Sequence, residues 1–145
     1  MGNTGTKNGA VVAVNPSTLA APAGHFDRAV RIGDFLHISG TSALTNLAGA
    51  VEERILPEGF REQADATFDN IEKVLVSQGG SLADIYEIRV TLSDRDLFGP
   101  LNEILKERMP ARGFIGSGYV AGFMAPHMKI EVEAHAYLGF TTASR

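Results

Sequence analysis

Two groups of residues in this sequence have types and spacing that could do chemistry. The first is Arg112, in the run Met109–Val120, MPARGFIGSGYV. It follows a Pro-Ala step and opens a stretch, GFIGSGYVAGF, that holds no other charge. A guanidinium keeps its charge at any working pH and grips a carboxylate through two parallel hydrogen bonds. Arg112 therefore reads either as an anion anchor at the mouth of a pocket or as an exposed strand-end arginine paired within the protein. The second group is Glu131 and Glu133, in KIEVEAHAYL. Alternation places Ile130, Val132, Ala134, Ala136 and Leu138 on one face of a strand and Glu131, Glu133, His135 and Tyr137 on the other. Carboxyls two residues apart on one face lie roughly 6–7 Å from each other. That proximity can raise one pKa and suit it to proton transfer. A solvated outer face has the same pattern, and spacing alone leaves both readings open.

Other chemistries find less support. The chain has no cysteine, which excludes disulfides, thiolate zinc sites and cysteine nucleophiles and fits a cytoplasmic protein. The four histidines show no paired metal-ligand spacing. The string GSGYVAG lacks the strand before and helix after that a dinucleotide loop needs, so its glycines read as close backbone approach or strand twist. A net charge of −4 argues against tight binding to phosphate backbones. No run of about 18 apolar residues is long enough to span a membrane.

The elements that must position these residues follow from periodicity. At 145 residues the chain reads as one domain, residues 11–145, behind a small polar tail, residues 1–10. Residues 11–14, 26–32 and 35–39 read as strands, the last two joined by a Gly33-Asp34 turn. Residues 41–53 read as loop, with room for a short strand. Residues 58–78 form the clearest helix, with Phe60, Ala64, Phe68, Ile71 and Leu75 on one face and Gly79-Gly80 at its end. A half-buried strand follows around Ile88, Val90 and Leu92. A second helix is expected over residues 97–108, with Phe98, Leu101 and Leu105 as its inner stripe. Residues 113–121 and 129–138 read as strands. This order predicts an α+β domain with two helices packed on one face of a mixed sheet. The other face then needs cover, which self-association supplies.

Several stretches, in order, resemble one family. RAVRIGDFLHISGTSAL, EQADATFDNIEKVLVSQGGSLADI, RVTLSDRDLFGPLNEIL, PAR and KIEVEAHAYL are together similar to the reactive intermediate deaminase (Rid/YjgF) family, of chorismate-mutase-like fold. The resemblance runs from about Gly24 to Leu138. It implies a homotrimer with pockets between subunits, and hydrolysis of enamine or imine intermediates, 2-imino acids above all, to ammonia and a ketone. It implies that Arg112 holds the substrate carboxylate and that Glu131 handles water or a proton. Ser39 and Gly40 would present backbone to the substrate, and Phe98 and Asn102 would line the site. No metal or cofactor is implied, because an imine is already electrophilic. The expected partners are a small carboxylate substrate and further copies of the chain, not nucleic acid or membrane.

The sequence departs from the family pattern at two lining positions. Phe26 stands where a tyrosine is common, and Phe114 where the best-known members often have cysteine. The stretch between Arg112 and Lys129 is about four residues longer than the common form and brings Tyr119, Phe123 and His127. These changes leave a deaminase of the 2-aminomuconate type beside the general imino-acid reading, and a carboxylate-binding module without turnover and a ribonuclease remain as readings of other classes.

Overall fold

The computed structural model describes residues 10–45 and 50–139. Apart from Ala10, the expected tail lies outside the described residues, as does the part of the expected loop at residues 46–49. Six strands are formed: β1 (Val12–Val14), β2 (Ala29–Ile32), β3 (Phe35–Thr41), β4 (Ile85–Leu92), β5 (Ile115–Val120) and β6 (Ile130–Tyr137). Two α-helices, α1 (Phe60–Ser77) and α2 (Phe98–Arg108), accompany them. The sheet order is β1-β2-β3-β6-β4-β5. β5 runs parallel to β4, and the other neighbours are antiparallel. The parallel pair follows from the crossover through α2, since a tight hairpin cannot join parallel strands.

Both helices cover the same sheet face, as the order of elements predicts. In α1 the buried residues include Ala64, Phe68, Ile71 and Leu75, with Val74 beside them. They meet Ile130, Val132, Ala134 and Ala136, which are all fully buried on one face of the central strand β6. Phe68 is wholly enclosed; truncating such a side chain to alanine costs about 3–5 kcal/mol. α1 stops where its glycines allow. Gly79 has φ 80°, and the Gly80 N–H bonds Leu75 O at 2.8 Å while the Gly79 N–H bonds Val76 O at 3.0 Å. This pair of bonds satisfies carbonyls that the helix end would otherwise leave open.

Three expectations are corrected. Helix α1 begins at Phe60 rather than residue 58, because Gly59 is extended at the cap. Strand β2 begins at Ala29 rather than Phe26, because residues 26–28 are held by other partners: the Asn15 amide donates to Asp27, and the Arg28 N–H bonds Asn15 Oδ1. In α2 the buried residues are Leu101 and Ile104, while Phe98 stays 59% exposed. Phe98 looks towards β5, where Gly116 and Gly118 offer no side chains to cover it.

Two irregularities in the pairing matter for the site. Between Ile38 and Thr41, β3 has one residue more than β6 opposite it, since Ile38 pairs with Ala134 and Thr41 with Val132. This bulge buries both Ile38 and Thr41 on the helix face and leaves Ser39-Gly40 as the extra step. A second shift, between Ile85 and Glu87, puts Tyr86 beside the rings of Phe35 and His135.

No described helix covers the opposite sheet face. Phe35 and Tyr137 pack there with ring centroids 5.1 Å apart, and His37 and His135 at 4.8 Å. His135 Nδ1 lies 3.1 Å from Glu87 Oε1. Burial, with His135 next to it, holds the His37 pKa below the usual histidine value.

Candidate active site

Glu131 is placed by β6 and by the bulge in β3. It pairs with Thr91 of β4, and its side chain leaves the sheet on the face away from the helices. There its carboxyl meets Gly40: a β-carbon built on Gly40 would lie 2.9 Å from Glu131 Cδ and 2.9 Å from Oε1. A glycine at this step therefore makes room for the carboxyl. Glu131 is half-buried, and burial first, then the charge of Glu133, raises its pKa above the usual carboxylate value. Glu133 shares the face but is exposed. The expected pair is thus asymmetric, with one acid shielded and one in water.

Ser39 is engaged within the protein. Its hydroxyl donates to Asp27 O at 2.7 Å and its N–H bonds Arg28 O at 2.9 Å. It ties the bulge to the chain before β2, and Gly40 makes the contact with Glu131. The chain leading into β6 is held from α1. The buried Gln63 amide donates to Pro57 O at 2.8 Å and His127 O at 3.0 Å, and its oxygen accepts from the Lys129 N–H at 2.9 Å. His127 has a left-handed backbone, φ 68°, within this clamped turn.

Glu131 opens onto a cavity of about 500 Å³, lined also by Phe26, Arg28, Gly40, Arg54, Thr91 and Phe123. Arg28 is buried, and its guanidinium holds backbone: Nε and Nη2 donate to the carbonyls of Ala20, Ala21 and Thr45. Arg54 donates to Leu44 O at 3.3 Å.

A second cavity, of about 630 Å³, lies between α2 and β5. Phe98, Asn102 and Phe114 line it, with Leu105, Gly116 and Gly118. The expected lining residues therefore divide between two cavities on the two sides of the sheet. Arg112 lines neither of them and is exposed. Among the described residues it has no hydrogen-bond or ion-pair partner.

The strand pairing sets Arg112 and Glu131 at opposite ends of the sheet. Glu131 pairs with Thr91, near the end of β4. Arg112 precedes Ile115, which pairs with Glu87 near the start of β4. The step from Glu87 to Thr91 alone spans about 13 Å at the usual strand rise, and Arg112 lies further out. Within one chain, therefore, Arg112 and Glu131 do not come together.

Residues 17–138 match the family model for Endoribonuclease L-PSP. The chain belongs to this family, the Rid/YjgF/L-PSP family. The match covers the whole sheet from β2 to β6 and both helices. Among its Rid relatives is the 2-iminobutanoate/2-iminopropanoate deaminase of Rattus norvegicus, 31% identical over 134 residues, covering 88% of this chain and 92% of that protein. The mitochondrial protein mmf2 of Schizosaccharomyces pombe is 30% identical over 129 residues, covering 86% and 96%. The crystal structure of RidA from the Antarctic bacterium Psychrobacter superposes with a TM-score of 0.74 at 27% identity, covering 86% of this chain and 98% of that one.

Sequence reasoning missed three members of this Rid chain's site region. Arg28 falls in a stretch that reads as strand but is irregular in the structure, and Arg54 follows a stretch that reads as loop, so neither side chain's direction was legible. Gln63 sits on the apolar stripe of α1 and reads as a polar interruption; its three bonds appear only once residues 57 and 127–129 are brought to it. Of the residues in the longer stretch, Phe123 lines the Glu131 cavity and Tyr119 the α2–β5 cavity, while His127 borders a separate hollow with Glu58 and Lys129.

Proposed function

We propose that this protein hydrolyses 2-imino acids and their enamine tautomers to 2-oxo acids and ammonia, in a site completed by a second copy of the chain. The observation that carries this reading is the half-buried Glu131 carboxyl, its pKa raised, against the backbone of Gly40. The names of the rat relative and its mouse and human counterparts, all 2-iminobutanoate/2-iminopropanoate deaminases, support it. In a homotrimer the α2–β5 edge of one copy, with Arg112, Asn102 and Phe114, would meet the Glu131 cavity of the next. The same association would cover the open sheet face.

The chemistry asks little of the protein. Arg112 holds the substrate carboxylate by a bidentate bond. Water adds to the imine carbon, forming a C–O bond as the C=N electrons move to nitrogen, which takes a proton. The resulting carbinolamine loses ammonia as its hydroxyl gives up a proton and the C=O bond forms. Glu131 takes the proton from water and passes it to the imine nitrogen, then takes the proton of the carbinolamine hydroxyl and passes it to the departing nitrogen. A carboxyl with a raised pKa suits both steps, because it exchanges protons closer to neutral pH. Positioning the reactants supplies the rest. A net charge of −4 weighs against the ribonuclease alternative.

The test generates 2-imino acids in situ with an amino acid oxidase, with semicarbazide competing for them. The protein should lower semicarbazone formation, and Arg112→Ala and Glu131→Gln should abolish that effect. Ligand binding without any loss of semicarbazone would instead favour a carboxylate-binding module.

A further inference from the structure

We propose that Phe123 and Phe26 form an apolar subsite in the Glu131 cavity, selecting imino acids with bulky apolar side chains over 2-iminopropanoate. The inference rests on the deaminase reading for the reaction and on separate residues for the selectivity.

Phe123 is fixed from behind. It packs on a small apolar cluster of Leu44, Ala125 and Met128, apart from the main core. The turn that follows is clamped by Gln63, which holds His127 O and the Lys129 N–H. Phe123 also lines the Glu131 cavity, so a ring anchored in that cluster is offered to whatever enters. Phe26 lines the same cavity. Its N–H bonds Gly24 O at 2.9 Å, and its ring lies against Gly24, where any side chain would displace it. Phe26 is 57% exposed, and Met124 beside the cavity is fully exposed. Single apolar side chains on a surface are ordinary. Here three of them border one cavity together with a shielded acid. A mostly apolar hollow with few polar groups is the usual form of a small-molecule site.

Arg28 and Arg54 border the cavity too, and both are committed within the protein. Arg28 holds the carbonyls of Ala20, Ala21 and Thr45. Arg54 donates to Leu44 O and also borders the hollow lined by Glu52 and Glu58. The apolar groups, not these cations, carry the selectivity.

The cavity volume of about 500 Å³ lies within the usual range for small-molecule sites, about 300–1,000 Å³. In the proposed assembly Arg112 of another copy takes the carboxylate and Glu131 serves the imine carbon. The substrate side chain is then the part left for the apolar wall. A side chain that ends at a methyl group leaves the two rings in water. A branched or aromatic side chain covers them, and removing apolar surface from water on both partners favours binding. The chemical class is the 2-imino acid formed by oxidising a large apolar amino acid.

Stable 2-oxo acids serve as binding probes, independently of turnover. Calorimetry on the full chain compares 4-methyl-2-oxopentanoate with pyruvate. We expect the branched acid to bind about tenfold more tightly or better. As a control for size, 2-oxoglutarate, of like length with a charged end, should bind no better than pyruvate. Phe123→Ala should bring the ratio of the first two affinities close to one, and Phe123→Leu should restore part of it. Phe26→Ala should lower the same ratio; its side chain lies outside the core, so this variant keeps the test open if Phe123→Ala does not fold, which thermal unfolding checks. Equal affinities for the branched acid and pyruvate in the wild type would overturn the proposal. So would 2-oxoglutarate binding as tightly as the branched acid, or variants that weaken both probes alike. The imines of leucine and alanine, run in the semicarbazide assay, separate the two claims. The expected affinity ratio with no imine hydrolysis would leave the subsite standing and sink the deaminase reading. Hydrolysis of both imines at equal kcat/KM, with equal binding, would do the reverse.

Discussion

The carboxyl of Glu131 lies against the α-carbon of Gly40, so close that an added methyl group would stand 2.9 Å from its Cδ. The bulge in β3 creates this contact, and the bulge exists because β3 has one residue more than β6 between two paired positions. Gly40→Ala would push the flexible end of Glu131 rather than backbone. The fold should tolerate the change while the acid moves off its place. We predict a fall in kcat on 2-imino acids of up to about 100-fold, because displacement by about 1 Å has that effect on a positioned group. KM should change much less, and the unfolding temperature little. Steady-state kinetics on the purified variant, beside thermal unfolding, checks this.

Glu131 also makes a prediction about stability. Its pKa is raised in the folded protein, by burial and by Glu133. A carboxyl with a raised folded pKa favours the fold while protonated. That contribution is fully present below the ordinary carboxylate pKa and is lost as pH rises through the raised value. Glu131→Gln removes the titration. The variant should therefore be more stable than the wild type at neutral pH, with the difference shrinking towards pH 4. Thermal unfolding of both proteins across that range measures it. An unchanged difference at all pH values would show that Glu131 does not titrate abnormally.

Gln63 offers a structural counterpart. Its amide satisfies Pro57 O, His127 O and the Lys129 N–H, and the last of these lies two residues before Glu131. Gln63→Ala leaves these groups without their partner. We predict a loss of about 1–3 kcal/mol of stability, the usual range for a buried polar group left unsatisfied. Activity should fall more than stability alone explains, since the turn that leads into β6 loosens. Urea unfolding and kcat on the same preparation give both quantities.

Much of the fold was legible because its signals are periodic. The α1 stripe of Ala64, Phe68, Ile71 and Leu75, and the alternation along β6, identify a helix and a strand whatever surrounds them. The boundaries were less legible, for reasons that lie outside each element. Asn15 holds Asp27 and Arg28 out of β2, and Phe98 stays exposed because β5 is glycine-rich where it faces α2. Glu131 and Gly40 could be named from the sequence, but their contact depends on a bulge that leaves no mark in composition. The separation of Arg112 from Glu131 depends on the parallel pairing of β4 and β5, which is a property of topology. Arg54 had no signal at all: it follows a stretch that reads as loop, and only the fold brings it to the Glu131 cavity.

The central claim is that Arg112 of one copy works with Glu131 of another, and mixing two inactive variants tests it most directly. Arg112→Ala and Glu131→Gln are each purified, shown to be inactive, then denatured and refolded together in equal amounts. If the site is shared, an intact Arg112 meets an intact Glu131 at about one site in four in a randomly mixed oligomer. The account predicts that imine hydrolysis returns to about a quarter of the wild-type rate. A mixture that forms mixed oligomers yet stays as inactive as its components would contradict it, since each chain would then have to carry a complete site of its own.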